Sequence, residues 1–196
     1  TYGGGLCGSF IAYDCVFSEN DASHGGGVYN VSSLLNFTNC TFIGNTAYKG
    51  AGICCIACPV TLNKCVFSKN TASNFGGGIY NSSSTTYLSD CIFNGNTAIT
   101  GGALCNADHS TPTFASLENC LFSCNNATYG GAINNGGYSS YSIITNCSFA
   151  GNASPSGGGA VYNYSSVSSL LNNCILWSNG INSVYSEPGI KNIPII

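Results

Sequence analysis

The chain has 196 residues, of which 44% are hydrophobic, with four Lys, no Arg and a net charge of −3. So few cations exclude nucleic acid and an anionic membrane surface as partners, because both need clustered Lys and Arg. No apolar run is long enough to span a bilayer, so no membrane insertion is expected, and the hydrophobic content is too high for a disordered chain.

In chain order, the opening "TYGGGLCGSF" has neither the basic region nor the long apolar stretch of a signal peptide. It begins instead a unit that recurs to the end of the chain. Each copy starts with a glycine-rich motif G-G-[GA]-[ILV], passes through a polar loop, and closes on C-x-F-x-x-N. The closing blocks start at Cys15, Cys40, Cys65, Cys91, Cys120, Cys147 and Cys174, at intervals of 25, 25, 26, 29, 27 and 27 residues. A fixed period of this length marks a repeat architecture. Abundant Gly, β-branched residues and Tyr, with no 3.6-residue apolar stripe, argue against helix and for short strands. The predicted fold is an all-β parallel solenoid of about seven coils over residues 1–188, with three short strands per coil.

Aligning the copies gives columns. Leu6, Val28, Ile53, Ile79, Leu104, Ile133 and Val161 form an aliphatic inward column. Two residues earlier stands a column of Gly and Ala, which implies close backbone approach on the same face. A second inward column runs Ala12, Phe37, Leu62, Leu88, Leu117, Ile144 and Leu171; the seven Cys follow three residues later, and five to the Phe column, Phe17 to Phe149 with Leu176. An interval of three breaks strand alternation, so a corner is predicted at the polar pairs between, such as Asn63-Lys64 and Ser89-Asp90. Asn and Asp accept the left-handed conformation that a corner needs.

Each block ends on Asn: Asn20, Asn45, Asn70, Asn96, Asn125, Asn152 and Asn179. Identical amides stacked at strand spacing can bond each to the next. The column is therefore read as a structural ladder rather than a ligand site. A partial second column comprises Asn30, Asn81, Asn106, Asn135 and Asn163. The spacing from the aliphatic residue to the Cys varies from 9 to 16 residues, so one corner carries the insertions, the longest in the fifth copy. Insertions of this kind gather on one face of a solenoid, often the binding face.

G-G-A-[ILV] at Gly101-Gly102-Ala103-Leu104, Gly130-Gly131-Ala132-Ile133 and Gly158-Gly159-Ala160-Val161, together with F-x-x-N from Phe17/Asn20 to Phe149/Asn152, resembles the chlamydial polymorphic outer-membrane-protein repeat. The resemblance departs at Leu176-Trp177-Ser178-Asn179. It implies a right-handed parallel β-helix of pectate-lyase-like architecture on a secreted or surface-exposed protein, often an adhesin.

Catalysis is not expected, although related β-helices include polysaccharide lyases and hydrolases. Those need a basic proton abstractor or clustered carboxylates. Here the acids are scattered, and the nearest groupings are Asp14, Glu19, Asp21 and His24, then Asp108 with His109. No metal or cofactor is expected, since "CCIAC" lacks a second Cys pair and a His at zinc spacing. The column cysteines are read as buried thiols, with inter-coil disulfides the alternative; Cys54, Cys55 and Cys58 are the candidates for a local disulfide in an oxidising compartment. Sequons make Asn30, Asn81, Asn126 and Asn163 candidate glycosylation sites, Asn81 and Asn163 taken as exposed. Tyr29, Tyr80 and Tyr162 share an outward column, read as ordinary exposed strand residues with sugar stacking the alternative.

The tail 189–196 is apolar, and Ile190, Ile193, Ile195 and Ile196 are the candidate assembly residues. The expected function is a non-catalytic extracellular or cell-surface protein whose subunits stack head to tail into a fibre. The alternative is an adhesin segment that binds a host protein or a glycan.

Overall fold

The computed structural model describes residues 1–107, 112–137, 140–164 and 169–187. They form a parallel β-solenoid of 27 short strands and no helix. The tail residues Ile190, Ile193, Ile195 and Ile196, and the Asp108–His109 pair, lie outside the described residues.

Four walls run along the solenoid. The first has eight strands, from Leu6–Cys7 to Val184–Ser186; the second has seven, from Phe10–Tyr13 to Ser169–Asn172; the third has seven, from Val16–Ser18 to Ile175–Trp177. The fourth wall, five strands from Asp21–His24 to Asn126–Tyr129, adds a strand per coil to the three the sequence predicts. Its inward signal is one Ala per strand, Ala22, Ala47, Ala72, Ala98 and Ala127, all buried. A single small residue is too weak a pattern to announce a strand.

Every pairing is parallel, and the registers reproduce the sequence columns: Val28 pairs with Ile53, Ile53 with Ile79, Phe42 with Phe67 and Phe67 with Phe93. In-register pairing stacks each side chain on its own kind. The rings Phe17, Phe42, Phe67, Phe93, Phe122 and Phe149 lie with centroids 4.6–4.9 Å apart and planes within 7° of parallel. With the aliphatic and Cys columns they fill the interior, so the tube is packed rather than hollow.

The ladder occupies the corner between the third and fourth walls. The side-chain amide of Asn70 donates to Asn96 Oδ1 at 2.9 Å and to the Phe42 carbonyl at 2.9 Å, and its backbone N–H also donates to Asn96 Oδ1, at 3.1 Å. The same three bonds recur from Asn45 to Asn152. Each amide thus serves two bonds as donor and two as acceptor, and Asn45 to Asn152 are fully buried. The F-x-x-N spacing has its cause here: the Phe carbonyl of one coil is the acceptor for the Asn of the next.

Left-handed residues turn three corners in each coil. Asp14, Asn39, Lys64, Asp90, Asn119, Asn146 and Asn173 all have φ between 49° and 56°. They are the second members of the predicted polar pairs, and Lys64 adopts the conformation without an Asx side chain. A second left-handed row, unpredicted, precedes each ladder Asn and includes Lys69, Gly95 and Cys124. The third corner is all Gly, Gly25, Gly50, Gly76, Gly101, Gly130 and Gly158, and joins the fourth wall to the first.

The last two rows differ in the space around them. A Cβ on Gly76 would lie 2.2 Å from the Ile79 carbonyl oxygen, whereas one on Gly95 would meet only Lys69 Cγ at 3.9 Å. Left-handed backbone alone costs a non-Gly residue about 1–2 kcal/mol, and forced overlap adds about 1–3 kcal/mol. Gly76→Ala is therefore expected to lower stability by about 3 kcal/mol or more and Gly95→Lys by about 1–2 kcal/mol, as read by urea denaturation.

Candidate functional site

The outer faces of the fourth and first walls meet in a trough of about 500 Å³. On the first wall the outward row reads Tyr29, Cys54, Tyr80, Cys105, Asn134, Tyr162 and Tyr185, coil by coil. Opposite it, the residues just before the Gly corner supply Lys49, Phe75, Thr100 and Tyr129 in register.

Two aromatic groups bracket the trough. At one end Phe75 and Tyr80 have centroids 5.8 Å apart, with Lys49 Nζ 5.3 Å and 5.1 Å from their respective ring centres. At the other end Tyr129 meets Tyr162 edge to face at 5.4 Å, and Tyr185 stacks on Tyr162 at 5.1 Å. The Tyr162 hydroxyl donates to Glu187 Oε1 at 2.7 Å. Burial, and then that bond to a carboxylate, hold the Tyr162 phenol above its ordinary range.

Between these groups the row drops to Cys105, fully buried, and Asn134, which is 2% exposed. Asn134 Oδ1 has no hydrogen-bond partner among the described residues. Burial pushes the Cys54 thiol up to about 12.

Tyr80 and Tyr162 point outward but are 8% and 4% exposed, so the sequence reading of this column as ordinary exposed tyrosines is corrected. The fourth wall folds against the first and covers them. The sequence reading missed Lys49, Phe75, Tyr129 and Glu187. Three of them are legible afterwards as large side chains immediately before, or one residue before, a corner Gly.

The remaining predicted residues divide. Asn81 and Asn163 are 0% and 2% exposed and face inward, which corrects their reading as exposed sequons; the candidate Asn30 is also buried, and only Asn126 of the four stands on the surface. Asn81, Asn106, Asn135 and Asn163 form a second ladder, with amide-to-carbonyl bonds of 3.1, 2.9 and 3.0 Å. It stops at Cys55, which is joined to Cys58 with Cα atoms 5.8 Å apart. Cys54, one residue away, points to the opposite face and packs with Tyr80 and Cys105 as a free thiol.

The acidic residues of the first copy do not converge. Asp14 sits at the corner of the second and third walls, accepting from the Asn39 amide at 2.6 Å, and Asp21 lies in the fourth wall, accepting from the Thr46 hydroxyl at 2.6 Å. His24 stacks on Tyr2 at 5.2 Å. Burial first, then Lys49 and the N-terminus, hold its pKa below the ordinary value.

Four segments, residues 39–56, 64–82, 90–107 and 146–164, match the model of the Chlamydia polymorphic membrane protein repeat. Each match starts at a left-handed corner residue, Asn39, Lys64, Asp90 or Asn146; the first three run through the third, fourth and first walls, and the last runs from the third to the first. The repeat unit therefore contains the ladder Asn and the Gly corner but not the second wall. No curated protein and no solved structure matches the chain.

The thiols supply a direct check on this placement. Cys7 and Cys124 are exposed, while Cys40, Cys65, Cys91, Cys120 and Cys147 are buried. Hydrogen bonds donated to the Cys120 sulfur, and then burial, push Cys91 and Cys147 above the ordinary thiol range, while accepting such bonds holds Cys120 and Cys65 below it. Because a reagent must reach the sulfur whatever its protonation, maleimide labelling of the native protein at neutral pH should modify Cys7 and Cys124 first. Mass spectrometry should find the buried column labelled only after denaturation.

Proposed function

We infer that this chain, built of Chlamydia polymorphic membrane protein repeats, is a non-catalytic structural rod on an outer membrane or cell surface. We further propose that it lengthens by coil-on-coil addition, with a second copy stacked head to tail on the terminal coil. The observation that carries the reading is the polarity of the Asn ladder. Every amide donates toward the next coil and accepts from the one before, so the two ends of any run of coils are complementary. Asn20 Oδ1 presents an acceptor end, and the backbone N–H of Asn179 presents a donor end.

The inward rows support the same contact. Leu6, Phe10, Ala12 and Cys15 in the first coil, and Cys174, Leu176 and Val184 in the last, pack on the core but are only partly buried. A neighbouring coil in register would cover them. Such a contact is heterologous and does not close, which yields filaments rather than rings. Strand addition would supply its backbone bonds.

The non-catalytic reading rests on the separation of Asp14, at the corner of the second and third walls, from Asp21 and His24 in the fourth, and on Asp21 being bonded to Thr46 while His24 stacks on Tyr2. Among the described residues no helix is long and apolar enough to cross a membrane. The adhesin reading is the second one, and the trough is the observation that favours it.

Negative-stain microscopy of the purified chain over rising concentration tests head-to-tail growth. Filaments one solenoid wide are expected for the wild type and not for Leu176→Lys, which sets a charge in the inward row of the last coil. Circular dichroism should show the variant still folded. Monodisperse single rods at all concentrations would contradict the stacking.

A further inference from the structure

We propose that the trough between the fourth and first walls is a binding site for a short neutral oligosaccharide, a di- or trisaccharide. The proposal is independent of head-to-tail growth, since the trough lies on the side of the solenoid.

Size and shape come first. A volume of about 500 Å³ falls in the range of small-molecule sites. Tyr80 and Tyr162 stand three strands apart in the outward row, which is about 14 Å at parallel-strand spacing. At the two ends Phe75 and Tyr129, backed by the more buried Tyr80 and Tyr162, offer apolar ring surface, and the recessed stretch between them offers polar atoms. An extended ligand with an apolar face at each end and polar groups between matches that sequence of surfaces. Linked pyranose rings have it: their C–H faces stack on aromatic rings and their hydroxyls point to the sides.

The floor supplies the second, independent observation. Asn134 is 2% exposed and its Oδ1 lacks a partner among the described residues. A buried acceptor without a donor is unfavourable, and the cost is relieved when a ligand supplies one. A sugar hydroxyl is such a donor.

Charge selects among ligands. Among the described residues the trough is lined by one cation, Lys49, already seated over Phe75 and Tyr80, and one anion, Glu187, already accepting from Tyr162. The balance favours a ligand without net charge. A phosphorylated ligand would find a single lysine and a nearby carboxylate, too little for phosphate recognition.

The test is saturation-transfer NMR on the full chain with a fixed panel of lactose, cellobiose, maltotriose and N,N′-diacetylchitobiose, run beside an apolar hexapeptide. At least one saccharide should receive saturation at its ring C–H protons. Asn134→Leu deletes the orphaned acceptor while leaving the fold intact, and should weaken that binding about tenfold. Tyr80→Ala should abolish it, and Tyr87→Ala, on the exposed face of the second wall, should leave it unchanged. Should Tyr80→Ala fail to fold, Asn134→Leu alone decides. Silence from the whole panel, binding indifferent to Asn134→Leu, or occupation of the trough by the peptide without competition from any sugar would each overturn the proposal.

Discussion

The structure depends on a file of buried amides. Burying a primary amide without partners is costly, so a row of Asn inside a protein is tolerated only where every donor and acceptor is met. Here each Asn meets its neighbours in the coils before and after it, and the Phe carbonyl takes the remaining proton. The arrangement works only at strand spacing and in register. A slip of one residue would leave several buried polar atoms unpaired at once, and it would turn the Phe and aliphatic columns outward. The ladder therefore acts as a register lock, and the stacked rings and thiols fill the space that the lock defines.

This explains why the interior was legible from the sequence and the outer face was not. An inward column sees the same environment in every coil, so it repeats the same residue: Asn at the corner, Phe on the third wall, an aliphatic residue on the first. The corners were legible for the same reason, since Asp14, Asn39 and Asn119 announce a left-handed turn by their side-chain chemistry. Lys64 does so only through its place in the period, and the row before the ladder Asn, which includes Lys69 and Cys124, carries no such signal. The fourth wall left almost no trace, because its inward residues are single alanines and its outward residues vary. The trough is built from those varying positions. Tyr80, Asn134 and Tyr162 share one row, yet they differ from coil to coil and bear no common motif. Tyr80 and Tyr162 are covered by Lys49, Phe75 and Tyr129 of the fourth wall, a contact that a linear pattern does not express.

Two kinds of surface follow from one scaffold. The ends of the coil carry directional hydrogen bonding and partly covered apolar rows, which suit addition of a further coil. The side carries an aromatic trough with an unsatisfied acceptor, which suits a small ligand. The first is a property of the repeat and would appear on any run of such coils. The second belongs to particular residues of this chain, and no repetition supplies it. The matched repeat segments contain Lys49, Phe75, Tyr80 and Tyr162 but not Tyr129, Asn134 or Glu187, so the trough draws on residues inside and outside the matched segments.

The ladder is tested most directly by a double-mutant cycle on Asn70 and Asn96, with stability read by urea denaturation. Asn70→Ala takes the acceptor from both the side-chain amide and the backbone N–H of Asn45, and the side-chain donor from the Phe42 carbonyl and Asn96 Oδ1, the latter keeping its bond from the backbone N–H of residue 70. At about 1–3 kcal/mol for each buried group left unsatisfied, it should cost on the order of 3 kcal/mol or more. The two substitutions should be strongly non-additive, by about 1–3 kcal/mol, because they break one shared network. Additive effects, or a loss no larger than that of an exposed substitution such as Asn126→Ala, would contradict the account.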